Sequence, residues 1–319
     1  MDLLITESCN AKCSYCLNSK YRNEKATMDT AKALNLLDFL AQNKCEIVRL
    51  MGGEPTLHPD FPIIAERCQQ LFPKVVVLTN AISSAIEKFH PRDSDGIIYN
   101  FNTMHNNFNI NKMLYNYPGF RYISIVISRN TDIIDLENRL KTIFKHDELS
   151  KRTQLNISID LCDNIFDKTN AIKDKINRLY LLCKEKKWHC NFRFDGELVI
   201  LYPECMDDIQ PLPGGAKKKI CSRNMPGLID ANFNFVFCNA FPVKIGSFDK
   251  DTNWYQLCEI AKKYTSERIN LTKRRCSKCN EHSKTCDGTC FALTDIDGYD
   301  ILKSKLENKY ANKKEIQGV

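Results

Sequence analysis

The chain has 319 residues, 43% of them hydrophobic, with a formal net charge of +7 and 16 cysteines. That length accommodates one large domain and a small one, and no apolar run approaches the ~18 residues of a membrane span. The opening Met1-Asp2-Leu3-Leu4-Ile5-Thr6 lacks the basic region and apolar segment of a signal peptide. A cytoplasmic protein with no membrane partner is expected, and there so many cysteines point to metal or clusters rather than disulfides.

Leu3 to Thr6 reads as a short strand that runs straight into Cys9-Asn10-Ala11-Lys12-Cys13-Ser14-Tyr15-Cys16. Three thiolates on one short loop can face one side of an iron–sulfur cluster, because thiolate is the soft ligand such irons prefer. A cubane has four irons, so three local cysteines leave one iron open, and the next cysteine is as far away as Cys45. Thr27 to Asn43 then reads as a helix, with Leu34, Leu37, Phe39 and Leu40 on its apolar face and Asp29 able to cap its start. Cys45 to Met51 reads as a strand ending in Gly52-Gly53-Glu54-Pro55. Ile63 to Leu71 reads as a helix. Lys74 to Leu78 is a valine-rich strand ending in Thr79-Asn80-Ala81. Gly96 to Asn100, Tyr122 to Ser128 and Leu155 to Leu161 are further strands, and Asn191 to Phe194 is a seventh candidate. Helices over Ser83–Phe89, Ile133–Lys145 and Lys168–Lys186 separate most of them.

This alternation predicts a parallel α/β sheet with helices outside, and the Val- and Ile-rich strands fit burial on both faces. Ligands in such folds collect at the carboxyl ends of the strands, where the cysteine loop, Glu54 and Asn80 all fall. Two glycines permit close backbone approach, and Glu54 offers an acceptor for an ammonium group.

Taken together, Cys9, Cys13 and Cys16 with Gly52-Gly53-Glu54-Pro55 resemble the radical S-adenosylmethionine (SAM) family. The resemblance implies a partial (β/α)6 TIM-like barrel over residues 1–200. It implies a [4Fe-4S] cluster on the three cysteines whose open iron chelates SAM, and a 5′-deoxyadenosyl radical that abstracts hydrogen from a substrate. Tyr15 matches the aromatic position beside the adenine. Gly52, Gly53 and Glu54 match the motif that contacts the SAM amino group. Asn80 belongs to an element that resembles the family's Thr-Asn-Gly turn, with Ala81 in the glycine position. Ser128 and Asn130, after a later strand, are candidates for the SAM carboxylate or ribose.

Beyond about residue 200 the composition shifts. Pro203, Pro211, Pro213, Gly214 and Gly215 mark a linker over 201–220. Ile229 to Cys238 reads as a hairpin turning around Asn232–Asn234. Cys221, Cys238, Cys276, Cys279, Cys286 and Cys290 follow at dense spacing, and by ligand set alone zinc is the competitor to iron. Behind such a core they resemble a SPASM domain, or its shortened twitch form, over 221–319. That implies a small cysteine-rich domain holding one or two auxiliary [4Fe-4S] clusters. The pattern departs from the family in Phe233, which takes the hairpin glycine's place, in one spacing, and in the lack of a cysteine after Cys290. Asn239 also stands where sulfatase-maturing relatives carry an aspartate base, so formylglycine formation is not expected.

Cys45, Cys68, Cys162 and Cys183 read as buried small hydrophobes, and His58 and His282 as ordinary surface histidines. The expected function is radical modification of a ribosomally made peptide or protein. The expected partners are that substrate, a separate leader-peptide-binding protein, and an electron donor such as flavodoxin or ferredoxin. The alternatives are a dehydrogenase of small carbohydrate-like molecules and a non-catalytic iron–sulfur or zinc protein. The basic runs, Lys217-Lys218-Lys219 and Lys273-Arg274-Arg275, are short, so nucleic acid is not an expected partner.

Overall fold

Seven strands of the first unit, Met1–Arg193, lie side by side in the order in which the chain makes them. They are β1 (Asp2–Thr6), β2 (Ile47–Gly52), β3 (Lys74–Thr79), β4 (Gly96–Asn100), β5 (Phe120–Ile127), β6 (Thr153–Ile159) and β7 (His189–Phe192). Every neighbouring pair is parallel. α1 (Thr30–Gln42), α2 (Phe61–Leu71), α3 (Ile133–Ile143) and α4 (Thr169–Lys186) make four of the crossovers. The fold is α/β, a largely parallel sheet with the sequential winding of a partial TIM-like barrel. The computed structural model describes residues 1–16, 26–103, 119–128, 130–144, 153–159, 169–192, 224–238 and 241–276.

The alternating period of the strands sorts their side chains. Val48 and Leu50, Val75 and Val77, Ile123 and Ile125, and Leu155 and Ile157 are all fully buried, whereas Ser124 and Val126 between them are half-buried on the opposite face. Leu36, Leu37 and Leu40 of α1 and Ile64 and Cys68 of α2 are buried too, each large side chain contributing ~1.5–3 kcal/mol.

Several boundaries differ from the sequence reading. α1 begins at Thr30 rather than Thr27, with Asp29 as its cap, its Oδ1 accepting from the Lys32 amide at 2.8 Å. The residues before it are used elsewhere: Met28 N donates to the Ile5 carbonyl at 2.9 Å and Glu7 N to the Ala26 carbonyl at 2.8 Å. Ser83–Phe89 is a 3-10 turn over Ser84–Lys88, capped by the Ser83 hydroxyl. β6 and β7 each start two residues early, so the seventh candidate is a strand.

At the amino ends of β3 and β4, Asp95 is fully buried. Its carboxylate accepts from Arg92 Nη2 (2.8 Å) and Nε (3.0 Å), Gln69 Nε2 (2.7 Å) and the Val75 amide (3.0 Å). Burial works against the charge, but these donors outweigh it and hold the carboxyl below its ordinary range.

The second unit, Phe194–Val319, contains β8 (Leu228–Ile229), β9 (Asn234–Cys238), β10 (Phe241–Ser247) and α5 (Trp254–Cys276). β9 pairs antiparallel with both β8 and β10. Asp230 Oδ1 accepts the Asn232 and Asn234 amides, both at 2.9 Å, and closes the β8–β9 turn. Phe233 inside that turn has φ +63°. β10 and α5 are absent from the sequence reading. Cys238 ends β9 and Cys276 ends α5; Cys221, Cys279, Cys286, Cys290, Cys162, Asn239 and His282 lie outside the described residues. No helix among the described residues is long and apolar enough to cross a membrane.

Candidate active site

Gly52 and Gly53 explain how the cysteine loop is held. The Gly53 amide donates to the Thr6 carbonyl at 2.9 Å and the Glu54 amide to the Ser8 carbonyl at 2.8 Å. The end of β2 therefore carries the backbone of the loop's first residues alongside it. A Cβ on Gly52 would overlap the Thr6 carbonyl oxygen, and one on Gly53 those of Glu7 and Ser8. The close approach the glycines permit is thus to the stem of the loop, while both also line the cavity above it. On its other side the stem is closed by the Thr6–Thr27 bridge, whose hydroxyls lie 2.8 Å apart.

The cavity has a volume of about 210 Å³ and opens at the carboxyl ends of the strands. Cys9, Cys13, Tyr15 and Cys16 line one side, and Glu54 and Asn80 stand with them. The three cysteines are half-buried and outside any disulfide. Among the described residues no three metal-ligating side chains converge as the ligands of a single ion do. A cubane takes one thiolate per iron, so its sulfurs stand apart around the cluster. Three soft donors around a shared cavity fit that group.

Glu54 does more than the sequence reading expects of it. It is 1% exposed. Its Oε1 accepts from Thr56 N (3.2 Å), Thr56 Oγ1 (2.7 Å) and Thr79 Oγ1 (2.8 Å), and its Oε2 from Asn80 N (2.7 Å). Burial raises its pKa in spite of these donors. The carboxylate thus ties the end of β3 to the turn after β2. Asn80 passes the link on: its Oδ1 accepts the Ile82 amide at 3.0 Å, which turns Nδ2 toward Asn10 Oδ1 at 2.7 Å and Cys9 Sγ at 3.9 Å. Ala81, next in line, has φ +57°.

The Tyr15 hydroxyl donates to Asn100 Oδ1 at 2.9 Å. Burial, reinforced by Cys13, raises its pKa well above the usual range, so it stays neutral. Asn100 is absent from the sequence reading, although a polar side chain on the last residue of a strand was the available signal. Ser128 and Asn130 follow β5, where Ser124 and Val126 line the cavity. The Ser128 amide donates to Thr131 Oγ1 at 2.8 Å, and its own hydroxyl accepts the Asn130 amide at 3.2 Å. Both are knit into the turn that starts α3, and Asn130 is exposed. His58 is not a surface histidine: it is 2% exposed. Its Nδ1 accepts the Asp60 amide at 3.1 Å, so Nε2 carries the proton and donates to the Met28 carbonyl at 2.9 Å. Cys68 and Cys183 are buried as expected, whereas Cys45 is half-exposed.

A cysteine loop after the first strand of a partial barrel, braced by the glycines and glutamate after the second, defines a class, and residues 3–126 match the model of the Radical SAM superfamily. That match spans less than half of the chain. Over 82 residues it is 39% identical to the GTP 3′,8-cyclase of Psychromonas ingrahamii, a match covering 24% of each chain. Over 67 residues it is 45% identical to that of Haemophilus influenzae, covering 20% of each. The matched stretch thus spans about a quarter or less of these curated relatives. Streptococcus suis SuiB, in a structure bound to precursor peptide SuiA, is similar with a TM-score of 0.63 at 16% identity, over 91% of this chain and 71% of that one. The anSMEcpe structure with bound AdoMet gives 0.58 at 14%, over 99% and 98%. At these identities the likeness is one of fold.

Proposed function

We propose that this protein is a radical SAM enzyme that acts on a peptide or protein substrate. The observation that carries the reading is the shared cavity: three cysteine thiols, Cys9, Cys13 and Cys16, line it at the carboxyl ends of parallel strands. These thiols would hold the cluster, and the bound cluster would supply the electron that cleaves SAM. The chain's own residues position and shield that chemistry. Gly52 and Gly53 seat the loop stem, Glu54 and Asn80 brace its carboxyl side, and the neutral Tyr15 hydroxyl, tied to Asn100, closes its far side. Ser128 and Asn130, in the turn after β5, would reach the SAM carboxylate or ribose.

The peptide part of the proposal draws on the fold shared with SuiB, whose structure holds its precursor peptide. The second reading, a small-molecule substrate, draws on the local identity to GTP 3′,8-cyclases. In the second unit, Cys221, Cys238, Cys276, Cys279, Cys286 and Cys290 are proposed to hold one or two auxiliary clusters. An electron donor of the flavodoxin or ferredoxin type and a leader-binding partner complete the proposal.

The test is direct. Anaerobically reconstituted, reduced protein should convert SAM to 5′-deoxyadenosine and methionine. Cys13→Ala should abolish the conversion, because two thiolates do not hold a cluster with one vacant iron. Undiminished cleavage in that variant would end the radical SAM reading.

A further inference from the structure

The junction between α4 and β7 brings two cysteines together on the side of the sheet away from the cavity. Along α4 the buried residues Ile172, Ile176, Leu179 and Cys183 recur at the spacing of one helix face, and the helix packs against β5 and β7. It ends in a tight reversal. Trp188 N donates to the Cys183 carbonyl at 3.0 Å and Lys187 N to the Lys184 carbonyl at 3.3 Å, with Lys187 at φ +54°. Two such bonds around one left-handed residue form a Schellman cap. Trp188 is held against Phe144, their ring centroids 4.7 Å apart. The chain thus turns straight into β7, where Cys190 aligns with Leu155 of β6.

Leu155 is fully buried and aligns with Ile123, on the face opposite Ser124 and Val126, which line the cavity. Cys190 falls on that same outer face, toward the layer of α4, and its thiol is in hydrogen-bond contact with that of Cys183. The two sulfurs differ in access: Cys183 is buried and Cys190 half-buried. β7 is also an edge: among the described residues it pairs with β6 alone. The hydrogen bond with Cys183, reinforced by burial, holds the Cys190 thiol above its ordinary range, so it reacts slowly at neutral pH. Two sulfurs in contact nonetheless need little movement to be joined.

We infer that Cys183 and Cys190 are a site of reversible oxidation, a dithiol that closes to a disulfide and staples the edge strand β7 to α4. The site is separate from the cysteines of the cavity and stands apart from the radical SAM reading. The oxidant is a low-molecular-weight disulfide such as oxidised glutathione. The more accessible Cys190 attacks it as thiolate, forms a mixed disulfide and releases one glutathione thiol. Cys183, having lost its proton, then attacks the Cys190 sulfur and expels the second glutathione as thiol. Two protein thiols are oxidised and one glutathione disulfide is reduced. The contact between the sulfurs makes the second step effectively intramolecular and fast. A small dithiol reverses the bond by the same exchange and leaves as its own disulfide.

The test uses the full-length, cluster-reconstituted protein, held without oxygen in glutathione buffers of increasing oxidised fraction. Alkylation followed by peptide mass spectrometry should show Cys183 and Cys190 losing their reactive thiols together, with one peptide pair lighter by two hydrogens. Cys183→Ser should instead carry a single glutathione on Cys190, because the intermediate has nothing to resolve it. The melting temperature of the oxidised wild type should rise by a few degrees, and dithiothreitol should return both the thiols and the original value. A stable glutathione adduct on wild-type Cys190, or two thiols still reduced after prolonged incubation in the most oxidising buffer, would overturn the inference. A lower melting temperature on oxidation would overturn it too, since the bond would then strain the junction instead of stapling it.

Discussion

The Asn80 amide donates to Glu54 Oε2 across 2.7 Å, and through it the last residues of β3 are fastened to the turn that follows β2. A carboxylate with four donors and no acceptor need is poorly replaced by an amide. Glu54→Gln would turn an N–H₂ toward at least one existing donor and leave it buried without a partner. The variant should unfold ~1–3 kcal/mol more easily in urea and bind SAM more weakly by titration. Unchanged stability with weakened SAM binding would mean that the group serves the ligand alone.

Gly53→Ala forces a methyl group into the Glu7 and Ser8 carbonyl oxygens. Both partners are backbone, so the loop stem has to move. Overpacking of this kind costs ~1–3 kcal/mol, and here the strain falls where Cys9 is set. Iron bound per chain after anaerobic reconstitution should drop, although the cysteines are intact. Full iron loading would show that the stem tolerates the shift.

Ala81 and Phe233 share a left-handed backbone, φ +57° and +63°, which costs a residue with a Cβ ~1–2 kcal/mol. Glycine relieves that strain but is more flexible when unfolded, so Ala81→Gly should gain only ~0.5–1 kcal/mol. Phe233→Gly should lose stability by several-fold more, ~3 kcal/mol or above, because the Phe233 side chain is 6% exposed. Urea denaturation of the two variants should therefore move the midpoint in opposite directions.

Asp95→Asn tests the network at the other end of the barrel. The wild-type carboxyl is held below its ordinary range. A depressed folded pKa adds stability above the unfolded value of ~3.9, and that stability is lost as pH falls through the folded one. Near neutral pH the variant should be less stable by roughly 2 kcal/mol, the scale of hydrogen bonds to a charge. The gap should narrow as pH drops below about 4. A gap that is independent of pH would assign the loss to packing.

Replacing Cys9, Cys13 and Cys16 together with Ala should remove SAM cleavage but leave iron on the second unit. About four residual irons per chain would indicate one auxiliary cubane and about eight would indicate two. Zinc without iron would indicate a structural zinc module there.

The cysteine loop and Gly52 to Pro55 are legible in the sequence because both are local: the spacing alone states the chemistry. The same letters do not say what the glycines touch, since the carbonyls of Thr6 to Ser8 come from another strand. Nor do they say that His58 is inside, because its two partners, Met28 and Asp60, become neighbours only after folding. β5 and β6 read correctly as strands from their isoleucines, yet the contact of Cys190 with Cys183 depends on the register of β7 beside them. α5 escapes because its apolar residues, Leu257, Ala261 and Tyr264, are sparse among charges, and the cysteine at its end draws attention away from the helix.

The bridge between Thr6 and Thr27, with Glu7 pairing to Ala26 just beyond it, closes the cysteine-bearing excursion at its root. Everything that defines the root is hydrogen-bonded protein, formed from β1, β2 and the lead-in to α1. These hydrogen bonds include no metal ligand, so the root is expected to form before a cluster is delivered. A donor of preformed clusters would meet three thiols presented on a closed hairpin-like stalk, and stripping the iron with a chelator should return the protein to that receptive form rather than to an unfolded chain.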